Sequence, residues 1–420
     1  MLNTIDYLPR VIDDMVSRQL RAAGAVLIRG PKGCGKTETA RYFANSEVVI
    51  DSSLAVAQAI DSDPSILLAG ETPRLIDEWQ EQALLWDVIR HTVDSRRVKG
   101  QFILTGSANP PDHVNTHSGA GRFGIVNMRT MTQAELGNST KEVSLGALLN
   151  GETFSTKNRE PDLAQLAKNM VIGGWPGNIG LAEVDAILNN RNYLDLLVDV
   201  DVSRVSEKRR DPNKVRQLLR SLARNVGTES AYMTLAADVM SDDPALAKET
   251  VMDYLDALSR VMITDDLPAW STHIQSKAAL RKAPKRHLAD VSLACSALAL
   301  DSTHLLNDLV YMGNLFESLV IHDLKVYAEQ QDAQLLHYRD AYGREADAIL
   351  EFRDGSWAAF EIKLGFGAVD KAAESLLAFR ENIDTRRAGE PRALVVITAF
   401  GFTHTRKDGV VVVPFNTLCG

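Results

Sequence analysis

A chain of 420 residues is too long for one compact core, so two or three domains are expected. Hydrophobic residues at 45% and charged residues at 24% are ordinary for a globular protein, and a net charge of -9 excludes a uniformly basic surface that coats nucleic acid, though not local basic faces. No apolar run is long enough to span a bilayer, and Met1 to Arg10 lacks the basic-then-apolar pattern of a signal peptide. Cys34, Cys295 and Cys419 are far apart and make neither a zinc spacing nor a disulfide framework, which favours a reducing, cytoplasmic setting.

The apolar run Ala25-Val26-Leu27-Ile28 reads as a short buried strand. Gly30-Pro31-Lys32-Gly33-Cys34-Gly35-Lys36-Thr37 follows and fits the phosphate-loop pattern G-x-x-x-x-G-K-[ST] in full, with helix formers from Glu38 to Asn45. Glycines let successive backbone N–H groups turn onto phosphate oxygens, and the helix N-terminus adds partial positive charge. Lys36 is expected to neutralise the β and γ phosphates of ATP and Thr37 to ligate Mg2+, with Gly30 to Glu38 forming the binding stretch. Leu75-Ile76 then runs into Asp77-Glu78. Asp77 is expected to hold Mg2+ through water, and Glu78 to orient or deprotonate the attacking water, which points to hydrolysis.

A third strand, Gln101 to Ser107, ends in polar residues, and ligands of open parallel sheets sit at strand carboxyl ends. Thr105 or Ser107 is placed to sense the γ-phosphate, unless small polar residues merely cap the strand. Beyond the His-containing loop Pro110 to Gly121, Arg122 is a candidate for reaching a neighbouring subunit's nucleotide. Arg129 competes for that role, and an ordinary surface or salt-bridged arginine is the plain alternative.

From Leu163 to Leu197 the pattern is helical, broken by the turn Gly173 to Gly177, in the right place for a lid over the nucleotide. Between Arg204 and Arg224 lie eight basic residues and only two acids, Glu207 and Asp211. Asp211-Pro212 reads as a cap and first turn of a helix whose Arg216, Arg220 and Arg224 make a stripe, either a phosphate-tracking face or a solvated one. Leu235 to Trp270 fits a helix-turn-helix plus strand, with a second helix from about Ala245 to Ser259. That helix carries Glu249, Asp253 and Asp256, acids that suit base readout poorly. Lys282, Lys285 and Arg286 form a second basic cluster on a loop or wing.

Glu345 to Leu364 reads as a hairpin around Arg353-Asp354-Gly355-Ser356. Strand period two puts Glu361 and Lys363 on one face, and Asp347 on the partner strand can lie beside them. A helix from Val369 to about Phe379 and a strand Leu394 to Thr398 complete a three-layer α/β pattern. The carboxylates are hard oxygen ligands suited to Mg2+ or Mn2+, and Lys363 can position water. The plain alternative is a salt-bridged set in which Lys363 neutralises Glu361.

Along the chain, Leu75-Ile76-Asp77-Glu78-Trp79-Gln80, Leu104-Thr105-Gly106-Ser107, Gly121-Arg122, Gly173-Gly174-Trp175-Pro176, Asp199 to Asp201, the helix Lys248 to Leu258, Gly313-Asn314-Leu315-Phe316-Glu317, Asp347 and Glu361-Ile362-Lys363 occur in order. In that order they resemble the prokaryotic AAA-type ATPases fused to a C-terminal DUF4143 domain. The end of the chain is also similar to the core of PD-(D/E)xK nucleases, with Asp347, Glu361 and Lys363 as its triad. Glu317, in the helix Leu315 to Tyr327, matches an extra helical acid of that group.

The resemblance implies an α/β multidomain fold: a P-loop AAA+ parallel sheet over residues 1–160, a helical lid over 161–210, a winged helix over 211–290 and a restriction-endonuclease-like α/β domain over 291–420. It implies ATP hydrolysis with Mg2+ in a homo-oligomeric ring, a hexamer, that acts on DNA without a membrane. Glu317, Asp347 and Glu361 would then hold Mg2+ or Mn2+. Two other functions stay open: a DNA motor or branch remodeller with a silent nuclease-like domain, and a nucleotide-gated signalling or defence switch that binds protein partners.

Overall fold

The computed structural model describes residues 7–106, 119–158, 160–204, 210–239, 244–271, 283–340 and 342–420. Ser107, Lys208, Arg209, Lys282 and most of the His-containing loop lie outside the described residues. The chain opens with α1 (Asp13–Ala22), β1 (Ala25–Arg29), α2 (Lys36–Phe43), β2 (Ser46–Val49), α3 (Leu54–Ser62), β3 (Arg74–Asp77), α4 (Leu85–Arg96), β4 (Phe102–Gly106) and β5 (Phe123–Asn127). Their strands form a five-stranded sheet in the order β2-β3-β4-β1-β5, parallel throughout.

Strand period two explains the layers. Ala25 and Leu27 pack with Phe102, Leu104 and residues of α3 and α4 on one face, while Val26 and Ile28 pack with Ile103 and residues of α1 on the other. With both faces covered, the strands read as unbroken apolar runs. Because β4 lies between β1 and β3, the loop after β1 and the acids ending β3 emerge on either side of Thr105. Helix α2 starts two residues before the expected Glu38, since Gly35, at φ 103°, turns the loop straight into it.

Next come β6 (Val143–Ser144), α5 (Leu145–Leu149), α6 (Leu163–Ile172), α7 (Glu183–Leu196) and α8 (Val202–Arg204), with a widened helical turn over Leu197–Asp201 before α8. Helices α9 (Pro212–Arg224), α10 (Tyr232–Val239) and α11 (Pro244–Arg260) follow. Asp211 caps α9 by accepting the Asn213 N–H, with Pro212 in its first turn. A short antiparallel pairing, Thr264 with Leu288 and Leu267 with Lys285, then precedes α12 (Val291–Ala297), α13 (Ser302–Asn307) and α14 (Leu309–Gln330).

The chain ends in β7 (Ala333–Arg339), β8 (Glu345–Phe352), β9 (Trp357–Lys363), α15 (Val369–Asn382), α16 (Thr385–Ala388), β10 (Leu394–Thr398), β11 (His404–Thr405), β12 (Val411–Pro414) and β13 (Leu418–Cys419). The six-stranded mixed sheet runs β11-β12-β10-β9-β8-β7, and β13 returns to pair with β6. β8 and β9 are the expected hairpin, turned with Gly355 at φ 80°. Ala358, Phe360 and Ile362 face buried residues of α14, whereas Trp357 and Ala359 face α15. One apolar cluster runs from Ala134 to Leu418 through α6, α9, α11 and α14, so the expected boundaries near 160, 210 and 290 fall inside a shared core.

Phe360 is fully buried in that core. Phe360→Ala should cost about 3–5 kcal/mol, read from urea unfolding. Because the core is shared, amide exchange in α6 and α9 should speed up together with β9. Unchanged exchange in those helices would show that they fold apart from the C-terminal sheet.

Candidate nucleotide site and C-terminal charge cluster

Each part of the phosphate loop has a local physical cause. Gly33 and Gly35 adopt φ of 74° and 103°, a region that side chains disfavour. A Cβ on Gly30 would lie 2.1 Å from the Met128 carbonyl oxygen, so only glycine lets the loop pass β5's exit. The Lys36 ammonium is folded onto its own loop, donating to the Gly30 carbonyl at 2.9 Å and the Pro31 carbonyl at 2.8 Å. Those donors are the ones a phosphate oxygen would take. The Thr37 hydroxyl points at both Asp77 oxygens, at 3.2 and 3.3 Å. Loop, ammonium, hydroxyl and carboxylate thus form a donor set that fits a nucleotide with Mg2+. Glu38 is exposed and paired with Arg41 at 2.7 Å, so its carboxylate is turned away from this set.

Asp77 lies opposite Thr105 in the sheet register, and the Thr105 hydroxyl donates to it. Thr105 therefore fixes the carboxylate's orientation from the strand between Asp77 and the loop. Glu78 sits in left-handed backbone, φ 54° and ψ 38°, a strained conformation for a non-glycine residue that lifts it off the strand end. The Gln80 amide holds its carboxylate. Gly106 leaves room for Gln80, since a Cβ there would lie 2.2 Å from the Gln80 side-chain oxygen.

The two arginines separate clearly. Arg122 precedes β5, at the amino end of a sheet whose carboxyl end carries the loop, roughly 16 Å away along five residues of strand. Its side chain is half-exposed and paired with Asp94 at 2.6 Å. Arg129 leaves the carboxyl end of β5 but is engaged by Asp265 at 2.7 Å and Glu329 at 3.1 Å. Burial opposes its charge, yet those two carboxylates raise its pKa further still. The basic stripe is also partly engaged: Arg216 pairs with Asp195 and Asp199 at 3.2 and 2.8 Å, while Arg220 and Arg224 are exposed.

Two contacts to the loop, from Arg10 and Tyr193, gave no usable signal in the sequence. Arg10, buried, donates to the Cys34 carbonyl at 2.9 Å and the Arg129 carbonyl at 3.0 Å, but stands in a stretch without periodicity. Tyr193 donates its hydroxyl to the Lys32 carbonyl at 3.2 Å, and Lys32 pairs with Asp201 at 2.6 Å. The turn at Gly173 to Gly177 lies against the loop, with a Cβ on Gly35 only 3.5 Å from Pro176.

At the other end, β8 and β9 bring Asp347, Glu361 and Lys363 together. Asp347 Oδ2 accepts from the Ile362 N–H at 2.8 Å and from Lys363 at 3.0 Å, and Lys363 also meets Glu361 Oε2 at 2.7 Å. A second ammonium arrives from outside the sheet. Lys285 reaches Glu317 Oε1 at 2.8 Å and Asp347 Oδ1 at 3.3 Å. Of the basic cluster expected on a loop or wing, Lys285 and Arg286 are 5% and 4% exposed, and Arg286 is paired with Asp266.

Burial pushes the Glu317 and Glu361 carboxyls above the usual carboxylate range, and Asp347 adds to the shift. Burial acts on Asp347 in the same direction, but Lys285 and Lys363 hold it below that range. Among the described residues, no three His, Cys, Asp or Glu converge as a metal-holding group. The expected Mg2+ or Mn2+ ligands Glu317, Asp347 and Glu361 therefore do not fit a divalent ion in this arrangement, because an ammonium group stands on at least one oxygen of each.

Arg129→Ala leaves Asp265 and Glu329 short of a partner in a mostly enclosed place, and should cost about 3–5 kcal/mol in thermal or urea unfolding. Arg122→Ala should leave the unfolding midpoint where it is. An equal loss in both variants would contradict the division between them.

Residues 22–137 match a family model described as an AAA domain, residues 163–304 a domain of unknown function (DUF8612) and residues 312–418 another (DUF4143). A search of curated proteins gives no match. Among solved structures, the Walker-type ATPase PABY2304 of Pyrococcus abyssi is 12% identical, covering 71% of this chain and 97% of its own, with a TM-score of 0.42. A DNA replication initiation factor is 14% identical over 60% and 90% of the two chains, with a TM-score of 0.24. A RuvB mutant of Thermotoga maritima is 17% identical over 64% and 93%, with a TM-score of 0.29. No described helix is long and apolar enough to cross a membrane. The two end matches give the chain an AAA domain near its N-terminus and a DUF4143 domain at its C-terminal end.

Proposed function

We propose that this chain hydrolyses ATP with Mg2+ between neighbouring copies of a homo-oligomeric ring, a hexamer, and that turnover acts on DNA. The observation that carries the hydrolysis is the convergence of Lys36, Thr37, Asp77 and Glu78 at the carboxyl end of one parallel sheet, with Thr37 3.2 Å from Asp77. Lys36 would leave the Gly30 and Pro31 carbonyls to take phosphate oxygens. Thr37 and Asp77 would hold Mg2+, which neutralises phosphate charge when bound. Glu78 would take a proton from the attacking water while Gln80 orients its carboxylate. Arg122 is out of reach of its own loop and half-exposed, which suits contact with a neighbour's nucleotide.

The domains are read as a P-loop AAA+ unit over residues 1–160, a helical lid over 161–210, a winged helix over 211–290 and a nuclease-like unit over 291–420. The last reading rests on the order α14-β7-β8-β9-α15-β10 with Asp347, Glu361 and Lys363 in contact at the β8–β9 pair. DNA is the substrate class that a nuclease-like fold beside a winged helix suits, and exposed Arg220 and Arg224 offer phosphate contacts. A second reading, a DNA motor whose nuclease-like unit grips without cutting, is favoured by the ammonium groups on that cluster.

Lys36→Ala should abolish nucleotide binding in calorimetry. Glu78→Gln should keep binding and lower turnover about 100-fold or more. Arg122→Ala should lower turnover without weakening nucleotide binding, and nucleotide-saturated protein should scatter light as a ring. Gels on single-stranded, duplex and branched DNA, with Mg2+ or Mn2+ and with or without ATP, read the DNA step. A monomer with full turnover in Arg122→Ala would sink the intersubunit site, and turnover indifferent to every DNA would sink the substrate reading.

A further inference from the structure

The three acids of the C-terminal cluster come from α14, β8 and β9, but the cation between two of them comes from neither sheet nor helix. Lys285 belongs to the antiparallel pair that precedes α12. Its ammonium bridges Glu317 Oε1 at 2.8 Å and Asp347 Oδ1 at 3.3 Å, the kind of shared position that a divalent ion takes between carboxylates. We propose that Lys285 is the resident cation of this cluster, a plug that shuts Mg2+ and Mn2+ out in the conformation seen here. The proposal rests on reading residues 291–420 as nuclease-like.

Three observations carry it. The lysine is 5% exposed, so its charge needs partners, and among the described residues its ammonium is hydrogen-bonded to Glu317 and Asp347. Two further oxygens are taken as well: Lys363 and the Ile362 N–H hold Asp347 Oδ2, and Lys363 holds Glu361 Oε2, while Glu361 Oε1 is buried without a hydrogen-bond partner. Mg2+ needs several open oxygens in near-octahedral geometry, and an ammonium in the same gap repels it. Finally, the plug is held by backbone. Lys285 and Leu267 exchange N–H···O bonds of 3.0 and 2.9 Å, and Asp265, two residues from Leu267, is clamped by Arg129 at 2.7 Å. A lysine serving only packing and charge balance would leave no cation site behind when its charge is removed.

The test is Mn2+ titration of the nucleotide-free full chain, followed by the electron paramagnetic resonance of free Mn2+. Wild type and Asp347→Asn should give the same isotherm. Lys285→Met should gain a site about 10-fold tighter or more, absent from Lys285→Met/Asp347→Asn, whereas Lys285→Arg should behave as wild type. Basal ATP turnover and the melting midpoint show that Lys285→Met is folded; if it is not, Lys285→Gln replaces it. An Asp347-dependent site already present in wild type overturns the proposal, as does a folded, neutral variant that gains none. DNA nicking is read separately: Mn2+ gained without nicking sinks the cleavage reading and leaves the plug standing.

Discussion

The join between the two sheets depends on the residues that leave β5. Met128 puts its carbonyl where a Cβ on Gly30 would lie only 2.1 Å away, so the phosphate loop and this exit touch without slack. One residue later Arg129 meets Asp265 and Glu329, and Asp265 also takes Lys325 at 2.9 Å. Burial raises the cost of every charge here, and Asp265 stays far below the usual carboxylate range because Arg129 and Lys325 face it. Removing any one partner would leave an uncompensated charge in a poor solvent for it. The exit of β5 is thus a fixed post, and both the nucleotide loop and the C-terminal unit are referenced to it.

The same post explains the Gly-Gly-Trp-Pro turn. Asp290 accepts from the Thr130 hydroxyl at 2.7 Å, the Gly174 N–H at 2.9 Å, the Ser292 N–H at 2.9 Å and the Ser292 hydroxyl at 2.6 Å. Ser292 in turn accepts the Trp175 indole N–H at 3.0 Å. A Cβ on Gly173 would lie 2.4 Å from the Ser292 hydroxyl oxygen, and one on Gly174 2.3 Å from the Met131 carbonyl oxygen. The two glycines are there because the turn is pressed between Asp290 and the segment following Arg129, which leaves Trp175 packed at a tilt against Tyr193.

These contacts also mark how far the sequence could be read. The arrangement of the candidate nucleotide site was legible because its chemistry is local. Gly30 to Thr37 are contiguous, and Asp77 and Glu78 end a strand whose place in the sheet follows from the parallel rule. The β8–β9 hairpin was legible for the same reason, an Asp-Gly turn between period-two runs. Lys285 was not. Its neighbours Lys282 and Arg286 make it look like part of a solvated basic loop, and nothing local reports that Glu317 and Asp347, 32 and 62 residues away, will close around it. Arg129 was misleading in a similar way, since an arginine at a strand's carboxyl end looks available until Asp265 and Glu329 arrive from remote parts of the chain.

Helix α14 ties these long-range contacts together. Glu329, near its C-terminus, accepts the Asn127 N–H at 3.0 Å and pairs with Arg129, while Glu317 lies twelve residues back, roughly 18 Å along the helix. The antiparallel pair gives a second link from the same post, through Asp265 and Leu267 to Lys285. Lys285 and Glu317 are therefore both carried by elements anchored at Arg129, whereas Asp347 belongs to β8. A displacement of the β5 exit would move the first two together and strain the contact between them and the sheet. The distances agree with that division of labour: the Lys285–Glu317 contact is 2.8 Å and the Lys285–Asp347 contact 3.3 Å, so the longer of the two lies where the elements anchored at Arg129 meet the C-terminal strands.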